Sequence, residues 1–134
     1  MHSTVIHVRW GELDPYNHVN HATYLSYLEH ARISALESIG WGMDVLADAG
    51  FHVVVAQTNT RFRAPTTAGE TLDISTWVEE IRSASSHWGQ RVTRGTDLIL
   101  EAEIRAAFTD LSGRPTRLPQ GFREALTALL PPPG

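Results

Sequence analysis

One stretch of helical period stands in a chain that otherwise alternates, and it limits the folds open to the rest. Over 21–39, Tyr24, Leu28, Ala31, Ala35 and Ile39 share a face, Leu25 and Leu36 widen it, and Gly40 supplies the stop. Asn20 stands where an N-cap side chain would accept from a first-turn amide. The first ten residues alternate as a half-buried or edge strand. After the helix, strands are predicted over 51–62, 72–79, 88–94 and 98–108, with turns at 95–97 and 110–115. A closing helix is predicted over 120–130, where Phe122, Leu126, Leu129 and Leu130 follow Pro119 at helical spacing. One strand, one helix, then four strands joined by hairpin-like turns is an α+β order, economically an antiparallel sheet curved around the helix. With 134 residues the chain is one domain, set at 1–130 before a Pro-rich tail at 131–134. So small a chain cannot hide so apolar a helix alone, which predicts a second subunit on its outer side.

Composition removes several functions. The 11 basic and 15 acidic residues leave a formal charge of −4, which argues against a grip on nucleic acid or anionic membrane. Without cysteine there are no disulfides, thiolate metal sites or cysteine nucleophiles. No apolar run approaches the roughly 20 residues that span a bilayer, and the first residues lack a signal-peptide layout. A cytoplasmic location is the expectation.

The densest polar cluster lies between the first strand and the helix, at 12–21. Asp14 stands just before a helix start, where free amides and the dipole favour a developing oxyanion. A carboxylate there suits attack on a carbonyl, as nucleophile or as base on water, with helix-start amides polarising the C=O. Asp14-Pro15 reads equally as a turn initiator, and Asn17 as a left-handed turn position. His18-x-x-His21 with Asp14 and Glu29 offers metal-ligand types, but not the helical His pair at i and i+4 with an intervening Glu. No metal site is assigned. No Gly-x-Ser-x-Gly elbow and no glycine-rich phosphate loop is present.

The run Asp14-Pro15-Tyr16-Asn17-His18-Val19-Asn20-His21-Ala22-Thr23-Tyr24, continuing through Glu29 and Arg32, resembles the signature of hotdog-fold acyl-CoA thioesterases of the 4-hydroxybenzoyl-CoA thioesterase superfamily. Phe62-Arg63-Ala64-Pro65, Gly69-Glu70 and the segment 110–119 extend the likeness over nearly the whole chain. The resemblance implies an antiparallel sheet around a central helix, dimers joined sheet edge to sheet edge, and dimers of dimers. It implies hydrolysis of acyl-CoA without cofactor, with Asp14 as catalytic carboxylate and the His21 amide polarising the thioester carbonyl. In one branch of the family a histidine at the position of His21 also assists through its side chain. Asn17 replaces a glycine usual in the family, and Asn20 an aromatic residue usual in the His-bearing branch. A sequence of the "HVNN" type is seen in other branches, among them acyl-carrier-protein thioesterases. A carrier-protein substrate and a non-catalytic acyl-thioester binding module are the alternatives. Tyr24 and Tyr27 read as packing residues, and Glu29 with Arg32 as an i, i+3 pair. Asn20, with Thr58 and Asn59 on the second strand, is expected to contact substrate, the latter two in a neighbouring subunit's site. Arg82, beyond the third strand, is the expected contact for CoA phosphate.

Overall fold

The computed structural model describes residues 1–131, so the tail assignment at 132–134 lies outside the described residues. Five strands form one antiparallel sheet: β1 (His2–His7), β2 (Phe51–Phe62), β3 (Thr71–Ile81), β4 (Ser85–Arg94) and β5 (Asp97–Asp110), in the spatial order β1-β3-β4-β5-β2. Helix α1 (His21–Ser38) lies against one face, α2 (Met43–Asp48) follows it, and α3 (Gln120–Leu126) closes the chain. This is the hotdog arrangement that the resemblance implies.

Strand alternation decides which residues face α1. Leu72, Ile74 and Val78 of β3, Trp88 and Val92 of β4, and Leu100, Ala102, Ile104, Ala106 and Phe108 of β5 are buried on the inner face with Leu28, Ala31, Ala35 and Leu36 of α1. Small residues on the helix let it settle close to the sheet. It settles to one side: α1 packs over β1 and β3, where His2 Nε2 lies 2.9 Å from Ser34 Oγ. The second half of β2 is therefore left mostly exposed.

Two features depart from the sequence reading. β2 and β3 are not a hairpin: β2 pairs with β5 at one edge, and 63–70 carries the chain under the start of α1 to the other side of the sheet. Twelve-residue β2 finds its ladder partner in fourteen-residue β5, and β1 takes the free side of β3 instead. The six-residue α2 went unread because a single turn and a half carries too little period to register. The closing helix stops at Leu126, four residues before the predicted end.

A bulge between Val55 and Gln57 resets the alternation of β2. Before it Val53 and Val55 face inward opposite Phe108 and Ala106; after it Thr58, Thr60 and Phe62 do so, opposite Ile104, Ala102 and Leu100. On the outer face the Trp77 indole lies flat across Gly89, its directly paired neighbour on β4, with the Arg91 guanidinium 5.5 Å from the ring centre. A Cβ at position 89 would fall inside that indole. Gly89→Ala is expected to displace Trp77 and destabilise the fold by about 1–3 kcal/mol, read by urea denaturation with tryptophan fluorescence.

Candidate active site

The residues between β1 and α1 form a closed loop held by their own backbone. Leu13 and Val19 make an isolated antiparallel bridge, the Asp14 amide donates to His18 O at 2.7 Å, and the Asn17 amide donates to Asp14 O at 3.0 Å. Asn17 turns the chain at φ 61°, a left-handed position that Asn tolerates far better than most residues. Asp14 Oδ1 accepts from the amides of Tyr16 at 2.8 Å and His18 at 3.1 Å. The turn-forming role foreseen for Asp14 is thus real, and it occupies one oxygen. Oδ2 accepts no hydrogen bond among the described residues.

A second loop props up the first. The Val19 amide donates to Thr66 O at 2.8 Å, Thr67 Oγ1 donates to Asn17 O at 2.8 Å, and the buried Tyr24 hydroxyl lies 2.5 Å from Thr66 Oγ1. Glu70 fixes that loop from below, accepting from the Thr67 amide and from Arg94 Nη1 at 2.7 Å. Glu12, which enters the catalytic-loop candidate from the β1 side, accepts from the Tyr27 hydroxyl at 2.7 Å and the Arg9 amide at 2.8 Å. Burial alone would raise the Glu12 carboxyl, but the Arg9 amide, the Tyr27 hydroxyl and the Arg9 guanidinium outweigh it and hold the group below its ordinary 4.5.

The start of α1 follows at once. Asn20 is its N-cap: Oδ1 accepts from the Ala22 amide at 2.8 Å and its carbonyl accepts from the Thr23 amide at 2.9 Å. With those two amides engaged, the His21 N–H is left without an acceptor among the described residues, and the dipole of an 18-residue helix points its positive end there. The His21 side chain is exposed, as is that of His18. Among the described residues, no three His, Asp or Glu side chains gather in a metal-holding cluster.

The remaining expected contacts do not gather at this loop within one protomer. Thr58 and Asn59 lie on opposite faces of the sheet: Thr58 is inward, while Asn59 lines an outer concavity of about 650 Å³ with Trp77, Gly89, Arg91 and Glu103. Arg82 follows the far end of β3, about 35 Å along the strand from the end next to the Asp14 loop, and pairs with Glu80 at 3.1 Å. Tyr24 and Tyr27 pack as read, both buried and edge to face at 5.9 Å. Glu29 and Arg32 do not pair: Arg32 turns inward and donates to Gln90 Oε1 at 2.9 Å. Sequence reasoning missed Thr66, Thr67 and Glu70 as supports of the loop. They lie some fifty residues away, and no local pattern marks them.

Comparisons with known proteins bear on the family and the fold. The family model for the thioesterase-like superfamily matches residues 8–126. The chain is 28% identical over 131 residues to the chloroplastic acyl-acyl carrier protein thioesterase ATL3 of Arabidopsis thaliana, spanning 96% of this chain and 69% of that protein. It is 33% identical over 93 residues to the long-chain acyl-CoA thioesterase FadM of Escherichia coli, 67% of each chain. Among solved structures, the hypothetical protein TT1821 of Thermus thermophilus superposes with a TM-score of 0.89 at 31% identity, covering 95% of this chain and 98% of that one.

Because the Glu12 carboxyl is held low in the folded state, its stabilisation is fully present above 4.5 and is lost as pH falls below that value. Glu12→Gln is therefore expected to melt lower than wild type at pH 7, with the gap narrowing as the pH of the melts is taken down through 4. With the loop described and the family model spanning 8–126, this chain belongs to the thioesterase-like superfamily.

Proposed function

We propose that the chain hydrolyses acyl-CoA thioesters to the free acid and CoA at the Asp14 loop. One observation carries the reading: a carboxylate with one oxygen unengaged sits on the loop that leads straight into a helix start whose first amide has no acceptor. The thioester oxygen accepts from the His21 N–H, where the helix dipole stabilises the charge that develops on it. Asp14 Oδ2 takes a proton from water as the water attacks, or attacks the carbonyl itself to give a mixed anhydride that water then opens. Either way the C–S bond breaks, and the sulfur leaves as thiol with a proton. The His21 imidazole orients the water or the acyl group, and Asn20 acts through its cap by aiming the His21 amide. No metal or redox cofactor takes part.

The site is completed by a second copy. β2 is a twelve-residue edge strand with Val54, Val55 and Phe62 about half exposed, and so long an apolar edge calls for a pairing strand. Antiparallel pairing of β2 with its copy joins two sheets, and pairs of dimers follow from the resemblance. Any contact of Arg82 or Asn59 with the substrate would have to come from another subunit. Sedimentation is expected to give a dimer or twice that mass, and a monomer at micromolar concentration would remove this arrangement. A cytoplasmic location is part of this proposal; no helix among the described residues is long and apolar enough to cross a membrane.

A second reading, that the acyl group arrives on a carrier protein, is favoured by the similarity to the plant protein named for that activity. A thiol-release assay with acyl-CoAs and acyl carrier proteins, run beside Asp14→Asn, separates the readings. Release is expected from acyl-CoA and should fall about 10²–10⁴-fold in the variant. Binding without release from either carrier would mark a binding module, and Asp14 would be a turn residue alone.

A further inference from the structure

The offset of α1 toward β1 and β3 leaves a trough along its other flank. The helix side of the trough carries Leu25, 43% exposed, and Arg32; the strand side carries Val55, Thr58, Thr60 and Phe62 on the uncovered inner face of β2. Phe62, 52% exposed, leans on Tyr24 at 5.8 Å and so bounds the end nearest the Asp14 loop. Beneath them lie Ala102, Ile104 and Ala106 of β5, all buried. Arg32 follows His21 by three helical turns, about 16 Å along the axis and on the same face. Side chains lean back toward a helix N-terminus, so the guanidinium lies nearer than that to the open amide.

The side on which Arg32 stands is set by Gln90. That residue is 1% exposed, and its Nε2 donates to Leu28 O at 2.9 Å and to Thr76 Oγ1 at 3.0 Å, on the β3 side. Its Oε1 is thereby turned to Arg32 Nη1. In the sheet the row runs Thr76, Gln90, Ala102, Thr60, so next beyond Gln90 come a methyl group and then a hydroxyl of β2. Among the described residues Arg32 forms no salt bridge and uses one of its five donors; burial disfavours its charge, and Glu29, one turn back on α1, offsets this only in part, from beyond salt-bridge distance. Its other nitrogens are not sealed in, since none figures among the fully buried polar atoms lacking a partner. On the same inner face of the sheet, on β2, the Thr58 and Thr60 hydroxyls lie 2.9 Å apart.

We propose that Arg32, held by Gln90, together with Thr58 and Thr60 selects thioesters whose acyl chain ends in a carboxylate. The proposal rests on hydrolysis at the Asp14 loop, which sets where the acyl chain begins; the trough sets where it runs. A methyl end against a half-desolvated guanidinium forms no hydrogen bond and leaves the cation short of acceptors. A carboxylate end accepts from the guanidinium fork and from the hydroxyls, in the geometry Arg favours.

The test compares ω-carboxyacyl-CoAs with alkyl acyl-CoAs of equal carbon number, over roughly six to twelve carbons to cover the about 16 Å span. Wild type is expected to favour the carboxylated series in kcat/KM by about tenfold or more, and Arg32→Met to abolish or invert that ratio, chiefly through KM. Arg32→Lys, which keeps the charge and loses the fork, should fall between. A purely structural Arg32 would lower activity on both series together and leave the ratio unmoved, which overturns the proposal. Calorimetric binding to Asp14→Asn and to Asp14→Asn/Arg32→Met reads the same preference without hydrolysis. If wild type releases no thiol yet the preference depends on Arg32, the hydrolytic reading fails and this one stands. Equal affinity for both series, or no binding of either, overturns it.

Discussion

The contact between two loops underlies everything functional in this fold. Residues 14–20 hold the carboxylate of the proposed reaction and residues 63–70 hold no group assigned to it, yet the first is held in place by the second through Thr66 and Thr67. The supporting loop is there because β2 does not turn back into β3 but must cross beneath the helix to reach it. The crossing sets its Thr66 carbonyl against the Val19 amide just before the helix, while the His21 amide that follows keeps no acceptor among the described residues. The Arg94–Glu70 bond ties the crossing to the β4–β5 hairpin. The placement of one carboxylate thus depends on the topology of the whole sheet.

Within that frame Asp14 serves two ends with two oxygens. Oδ1 organises the turn by accepting from Tyr16 and His18, which is the ordinary use of Asp before Pro. The bonds that shape the loop also restrict the rotation of the carboxylate, so Oδ2 is presented in a restricted direction. Orientation of this kind is what a catalytic group needs, because a fixed geometry spares the entropy of finding it. Turn former and chemical group are compatible descriptions of a single side chain.

Much of this was legible in the sequence, and the failures share a cause. The period of α1, its Asn20 cap and the Gly40 stop are local properties, and they stand as read. The left-handed Asn17 is local too. What escaped was set by distant partners. Glu29 and Arg32 have ideal helical spacing for a pair, but a glutamine on β4, fifty-eight residues on, competes for the guanidinium and holds it. The hairpin expected between β2 and β3 is the reading that proximity in sequence favours, and strand length together with the pairing of β1 decides otherwise. Thr58 and Asn59 are both expected at a neighbouring subunit's site, while a strand sends neighbours to opposite faces.

The bulge at Ala56 carries a last consequence, for how this chain can change over time. It acts as a phase shifter: every side chain from Gln57 to Phe62 owes its face to one residue left out of the ladder. Loss of that single residue would let Val55 run on into Gln57 as a regular strand, with Thr58, Thr60 and Phe62 still inward in their present pairing with β5. Pairing Ala56 into the ladder instead of bulging it out would swap the two sides, carrying Asn59 and Arg61 into the trough and turning Thr58, Thr60 and Phe62 outward. The edge strand thus holds one residue in reserve: it can lose a residue at the bulge without changing its wall, but it cannot flatten the bulge.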